Sequence, residues 1–251
     1  MPLIPLAQAP PNCFQNIRLI ATDMDGTLTT AGKFTPELLR SLQSLSTRFE
    51  VLITTGRSAG WVSGLANYLP VVGAIAENGG LFYSNHVERL LVPIPDLNQH
   101  RRKLADTFHQ LQTQFPTLEE SSDNRFRLTD WTFDVIGLSL EELETIAAFC
   151  QSQGWSFTYS NIQCHIKSPQ QDKAAGLLKV LENRFAPDQI LTIGDSPNDE
   201  SLFDANLFPQ SVGVANVLHY ADQLTHQPTY ITVAAEGEGF CELANALISN
   251  K

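Results

Sequence analysis

The sequence predicts an α/β fold: a mostly parallel sheet with helices on both faces, plus a small α+β domain inserted part-way along. Short apolar, β-branched runs at residues 17–22, 51–54, 71–76 and 190–193 alternate with helical patterns, and such βαβ repetition gives a parallel sheet covered on both sides. From about residue 84 to 165 the pattern changes. Phe126, Leu128, Trp131, Phe133 and Val135 fall at near-alternate positions, as in antiparallel strands with one wet face. A chain of 251 residues is also long enough to bury a substantial core, as one large domain or two small ones.

Taken in order, the first strand ends at Thr22. Thr35-Pro36-Glu37 then reads as an N-cap, a first-turn proline and an early acid, with Leu38, Leu39, Leu42 and Leu45 at helical spacing. A strand at 51–54, a helix opening near Ser58 and a strand at 71–76 follow. The insert reads as a strand at 88–92, a polar amphipathic helix at about 98–115, the alternating run, a helix at 141–151 and two short strands around Phe157 and Ile162. The core resumes with Asp172 as N-cap of a helix to about residue 183, then the strand leading to Asp195, strands near Val212 and Ile231, and a helix from about Gly239. The expected division is a Rossmann-like core from residues 1–84 and 167–251 with an insert at 85–166.

A hydrophobic content of 43% with 17% charged residues is that of an ordinary globular protein. The net charge of -11, from 16 basic and 27 acidic residues with no Lys/Arg run, argues against nucleic acid as partner. Cys13, Cys150, Cys164 and Cys241 are widely separated and read as buried thiols in a reducing compartment. Residues 1–16 hold four prolines and no signal-like apolar run, and no stretch has the length of a membrane span. These features predict a cytoplasmic protein with a loose N-terminal arm.

Asp23-Met24-Asp25-Gly26-Thr27-Leu28 is the most informative stretch. It puts two carboxylates at the carboxyl end of a buried strand, where open α/β sheets bind ligands, and then a glycine that lets the backbone turn tightly. Aspartate is a nucleophile mainly in glycosidases and in enzymes that form an aspartyl phosphate, and this turn suits the second. Thr54-Thr55-Gly56-Arg57 and Gly194-Asp195-Ser196-Pro197-Asn198-Asp199 also follow apolar runs, so these loops converge at one sheet edge. Thr55 offers a hydroxyl and, with Gly56, backbone N–H groups to a phosphate. Lys173, in a first helical turn, opposes the helix dipole unless its ammonium points at an anion. Gathering Asp23, Asp25, Asp195 and Asp199 around a phosphate demands a cation, and Mg2+ fits an all-oxygen site.

The four clusters, in this order, resemble the haloacid dehalogenase-like phosphatase superfamily. The position of the insert, between the second and third motifs, resembles the subgroup of Cof-type, sucrose-phosphate and archaeal phosphoglycolate phosphatases, as does Glu77-Asn78-Gly79-Gly80. The resemblance implies that Asp23 is the nucleophile and Asp25 the general acid and base. It implies that Asp23, Asp195 and the main-chain carbonyl of Asp25 hold Mg2+, with Asp199 behind them, and that Thr55, Gly56, Lys173 and Asn198 bind phosphate. Arg57 is expected in a supporting role, and Asn198 as a phosphate contact, an orienter of Asp199 or the N-cap of a following helix. The substrate implied is a small phosphate ester, a sugar phosphate or phosphoglycolate. A phosphomutase with the same nucleophile and a catalytically silent regulatory module stand as alternatives.

In the insert, Arg125 and Arg127 are placed on one strand face, either to recognise an anionic group on the substrate or as a solvated surface. His165 fits a substrate contact or a packing role equally. His86, His100, His109, His219 and His226 show no grouping. Oligomeric state is not legible.

Overall fold

The computed structural model describes residues 3–84 and 87–249, so His86 lies outside the described residues. In chain order the elements are β1 (Ile4–Pro5), β2 (Leu19–Thr22), α1 (Pro36–Ser46), β3 (Glu50–Thr54), α2 (Ala59–Leu65), β4 (Gly73–Ala76), β5 (Leu81–Ser84) and β6 (Val87–Leu90). Then come α3 (Leu97–Gln114), β7 (Asp130–Asp134), α4 (Leu140–Ser152), β8 (Ser156–Tyr159), β9 (Gln163–Lys167), α5 (Lys173–Leu181), β10 (Ile190–Gly194), β11 (Gln210–Gly213), β12 (Tyr230–Ile231) and α6 (Glu236–Ser249).

Nine strands form one sheet in the order β1-β12-β11-β10-β2-β3-β4-β5-β6. All its pairings are parallel except β4 with β5 and β5 with β6. The central strands are mostly apolar and buried along almost their whole length because both faces are covered. Along β2, Ile20 packs into the layer holding Leu38 and Leu42 of α1 and Phe240 of α6, while Leu19 and Ala21 pack into the opposite layer with Leu177 of α5. The reading of α1 is confirmed in detail, with the Thr35 hydroxyl accepting from the Leu38 N–H at 3.2 Å.

The second sheet has the order β7-β9-β8 and is antiparallel. With α3 and α4 it encloses a separate cluster that includes Phe108, Phe133, Ile146, Cys150 and Cys164. All four cysteines are free thiols. Among the described residues no helix is long and apolar enough to cross a membrane.

Three expectations are corrected. The N-terminal arm is tied down: β1 adds to β12 in parallel, and Leu6, Phe14 and Ile17 are buried in the core. Its proline spacing disguised this, since a proline is tolerated on an edge strand where no ladder N–H is needed. The strand expected in the insert at 88–92 is β6, and it pairs with β5 in the large sheet. The alternating run beginning at Phe126 is strand only from Asp130, because residues Asn124–Phe126 form a 3₁₀ turn.

Parallel register brings three motif loops together. Thr22 of β2 lies beside Ile193 of β10 on one side and Ile53 of β3 on the other, so all three strands deliver their carboxyl ends to one edge.

Candidate active site

The loop after β2 extends the sheet by one bond, Asp23 N–H to the Ile193 carbonyl at 2.9 Å, then coils so that the Leu28 and Thr29 N–H groups both reach the Met24 carbonyl. Gly26 makes the coil possible. Its φ is +83°, and a Cβ there would stand 2.5 Å from Asp195 Oδ2.

Asp23, Asp195 and Asp199 are buried, and each offers a carboxylate oxygen within 4.8 Å of the others. Lys173, fully buried at the start of α5, sends its ammonium to Asp23 Oδ1 at 2.5 Å and Asp199 Oδ1 at 2.6 Å. One cation thus faces three carboxylates. Burial and the neighbouring charge of Asp199 push the Asp23 carboxyl up to about 7, against the pull of Lys173. Burial, Asp23 and Asp199 likewise hold Asp195 well above its usual range. Burial alone would lower the Lys173 pKa, but Asp199 and Asp23 overcome it and the net shift is upward.

The two later aspartates are fixed differently. Asp199 spends Oδ2 on the backbone N–H groups of Asp195 and Ser196, at 3.0 and 3.2 Å, so it braces the loop from beneath. Asp195 accepts from Thr27 Oγ1 at 3.1 Å and from Asn216 Nδ2 at 2.8 Å. Asn216 also donates to the Gly26 carbonyl at 3.1 Å, clasping the first motif loop to the last. Nothing in the sequence pointed to Asn216, which lies in a 3₁₀ stretch with no motif around it.

Asp25 stands outside the acidic triad. Its carboxylate receives Arg57 Nε at 2.8 Å and Nη2 at 2.6 Å. Thr55 departs from expectation in one respect: its N–H is committed to the Ile75 carbonyl at 2.9 Å, continuing the sheet. Its hydroxyl oxygen accepts from the Arg57 N–H at 3.1 Å, which leaves the hydroxyl hydrogen to donate. Asn198 lies inside the 3₁₀ helix Pro197–Phe203, whose N-cap is Ser196, so the capping role is not its own. Its amide donates to Asn78 Oδ1 at 3.1 Å and accepts from Ser196 Oγ at 2.8 Å.

With this geometry in place, kinship can be tested. Residues 20–116 match the family model of haloacid dehalogenase-like hydrolases. The chain is 30% identical over 236 residues to a phosphoglycolate phosphatase of Methanothrix thermoacetophila, covering 90% of this chain and 95% of that one.

The chain belongs to the haloacid dehalogenase-like hydrolases.

Solved structures agree at the level of fold. A Thermoplasma acidophilum protein, 0175, superposes with a TM-score of 0.74 at 23% identity, covering 92% of this chain and 98% of that one. The sucrose-phosphatase of Synechocystis, solved with sucrose and phosphate, gives 0.65 at 16% identity, covering 92% and 98%.

In this hydrolase the insert closes over the acidic loops and leaves only a narrow cleft, with a free volume of about 10 Å³, lined by Asp23, Asp25, Thr55, Gln163, His165 and Asn198 among others. His165 sits on β9 against Gly56, where a Cβ would lie 3.0 Å from its Cε1; glycine is what lets the ring approach. Its Nδ1 pairs with Asp130 Oδ2 at 2.9 Å, and burial holds its pKa below the ordinary 6.5 despite that partner.

The two arginines do not share a strand face. Arg125 is exposed beside the Phe126 ring, 4.7 Å from its centroid. Arg127 is buried, its guanidinium committed to Asp123, Asp130, Gln163 and, at 2.9 Å, the Gly56 carbonyl. A side chain with its donors spent in this way cements the insert to the loop after β3 and has nothing left for an anionic ligand. The 3₁₀ turn at 124–126, which the alternation of apolar residues conceals, separates the two directions.

Proposed function

We propose that this hydrolase is a phosphatase that cleaves a small phosphate monoester, a sugar phosphate or phosphoglycolate, through an aspartyl phosphate on Asp23. The observation that carries the reading is the meeting of Asp23, Lys173, Asp195 and Asp199 in one buried volume at the carboxyl edge of the sheet. The phosphoglycolate and sucrose phosphatases to which the chain is similar support the substrate class.

The donor set fits Mg2+, which takes oxygen ligands in octahedral array. Three buried carboxylates against one ammonium leave negative charge uncompensated, and burial together with that excess raises the Asp23 and Asp195 carboxyls. Asp23 and Asp195, with the Asp25 carbonyl, are the groups that would hold the ion, while Asp199, bonded through both oxygens, stands behind them. When bound, such an ion supplies charge neutralisation between these carboxylates and the phosphate oxygens.

The chain's own residues account for the rest. An Asp23 carboxylate oxygen attacks phosphorus, and the bond from phosphorus to the ester oxygen breaks. Asp25 gives the departing oxygen its proton. A water molecule then surrenders a proton to Asp25 and attacks the same phosphorus, which frees Asp23 and inorganic phosphate. Lys173, the Thr55 hydroxyl and Asn198 line the position of the phosphoryl oxygens.

The test is release of inorganic phosphate from phosphoglycolate, glucose 6-phosphate and sucrose phosphate with magnesium, for the wild type and Asp23→Asn. Asp23→Asn is expected to abolish turnover and to keep or raise thermal stability, since it removes one charge from a repelling group. Near-normal turnover by this variant would overturn the assignment of the nucleophile.

A further inference from the structure

Between β4 and β5 the chain passes through three successive left-handed residues, Glu77 at φ +53°, Asn78 at +52° and Gly79 at +99°. Two of them carry side chains, for which this conformation is unfavourable and persists only when the surroundings hold it in place. The turn touches nearly every part of the site. The Glu77 N–H reaches the Arg57 carbonyl and the Asn78 N–H reaches the Thr55 carbonyl, both at 3.0 Å. Asn78 holds Asn198, and a Cβ at Gly79 would lie 2.0 Å from the Asp172 carbonyl at the head of the helix bearing Lys173.

The Glu77 side chain does something different. Fully buried, its carboxylate accepts from the Ala59 N–H of the core at 2.9 Å. From the insert it accepts the Leu128 N–H at 3.0 Å, the Thr129 N–H at 2.6 Å and the Thr129 hydroxyl at 2.7 Å. The return crossing joins the same knot: Gln171 Nε2 donates to the Glu77 carbonyl at 2.6 Å and to Thr129 Oγ1 at 2.9 Å. Every neighbour of the carboxylate is a donor, so only the ionised form satisfies them all. Glycine at position 80 completes the fit, because a Cβ there would lie 2.0 Å from Thr129 Oγ1.

We propose that Glu77 is a positioning residue that sets the register of the insert against the phosphate-binding loop, and so governs recognition of the leaving group rather than of the phosphoryl group. It acts through residues 127–130, whose Arg127 and Asp130 in turn fix the Gly56 carbonyl and His165 at the cleft. Release of the knot loosens the insert and leaves the acidic triad and Lys173 in place. The inference rests on the phosphatase reading above.

The experiment compares the wild type with Glu77→Gln, in which one oxygen becomes an NH₂ facing backbone N–H groups, and with Thr129→Val, which at nearly constant volume removes one donor to the carboxylate together with the oxygen that accepts from Gln171. The substrates are acetyl phosphate, whose leaving group is minimal, and whichever of phosphoglycolate or glucose 6-phosphate the wild type hydrolyses faster. For the larger-demand ester, kcat/KM is expected to fall about tenfold or more in Glu77→Gln, chiefly through KM, and by a smaller factor in Thr129→Val. Acetyl phosphate turnover is expected to change less than about threefold. Parallel loss on both substrates, or loss on neither, overturns the proposal; if Glu77→Gln does not fold, Thr129→Val decides on the same criterion. A folded wild type inactive on every one of these substrates removes the phosphatase reading instead. The register role is then judged by amide exchange at Leu128 and Thr129, which must quicken in the variants.

Discussion

Arg57 grips Asp25 with two prongs, Nε to Oδ2 at 2.8 Å and Nη2 to Oδ1 at 2.6 Å, and its guanidinium lies 5.7 Å from the centre of the Trp61 ring. The proposed proton donor and acceptor is therefore held from the second motif loop, with the hydrogen bond to Asp25 raising the Arg57 pKa. A planar fork matches a carboxylate in a way an ammonium does not.

Arg57→Ala is accordingly expected to lower kcat by about a hundredfold, on the scale of a misplaced general acid and base. Arg57→Lys should recover only part of it. The pair is partly open to solvent, so either change should cost about 1 kcal/mol of stability or less in urea titrations. Unchanged kcat in Arg57→Ala would remove Arg57 from the positioning of Asp25.

The surplus of negative charge around Lys173 predicts a response to metal. Magnesium at a hundred times its dissociation constant should add about 2.7 kcal/mol to folding stability, a rise in melting temperature of roughly 5–10 °C for a chain of this size. Asp195→Asn should abolish the rise. Lys173→Met, which leaves buried carboxylates without their cation, should cost about 3–5 kcal/mol in the presence of chelator. Equal magnesium responses in the wild type and Asp195→Asn would place the ion elsewhere.

The motif loops were legible because each acidic or glycine-bearing stretch directly follows an apolar run, and a strand's end fixes where its loop begins. Asp23, Asp195 and Asp199 meet as that reasoning requires, and Lys173, read instead from its place in the first turn of a helix, joins them. What the sequence withheld is pairing. Asp25 has an acidic neighbour two residues away, yet its partner is Arg57 on another loop; Asn216 holds Asp195 without any surrounding signal. Arg127 looks like any surface arginine, since its burial depends on Asp123, Asp130 and Gln163 closing around it. Polar networks of this kind are set by three-dimensional packing, and neither periodicity nor composition encodes them.

The His165–Asp130 pair yields a pH dependence with a definite sign. Burial lowers the His165 pKa below 6.5, with the Arg127 and Lys167 charges acting the same way and Asp130 opposing; burial also lowers that of His100. Below pH 6.5 the unfolded chain takes up a proton at this histidine that the folded chain refuses, so the His165 contribution to stability falls as pH falls, while the raised carboxyls of Asp23 and Asp195 contribute with the opposite sign. Burial would raise the Asp130 carboxyl, but Arg127 and His165 hold it below 3.8, so its contribution is lost only at still lower pH. The two windows are therefore separable. Between about pH 5 and 6.5, the slope of unfolding free energy against pH in His165→Gln should be less positive than in the wild type by up to about 1.4 kcal/mol per unit, the value for one proton. Urea titrations across that range check it. A slope identical to the wild type would mean that His165 is protonated equally in both states, and the neutral ring placed against Gly56 would then be wrong.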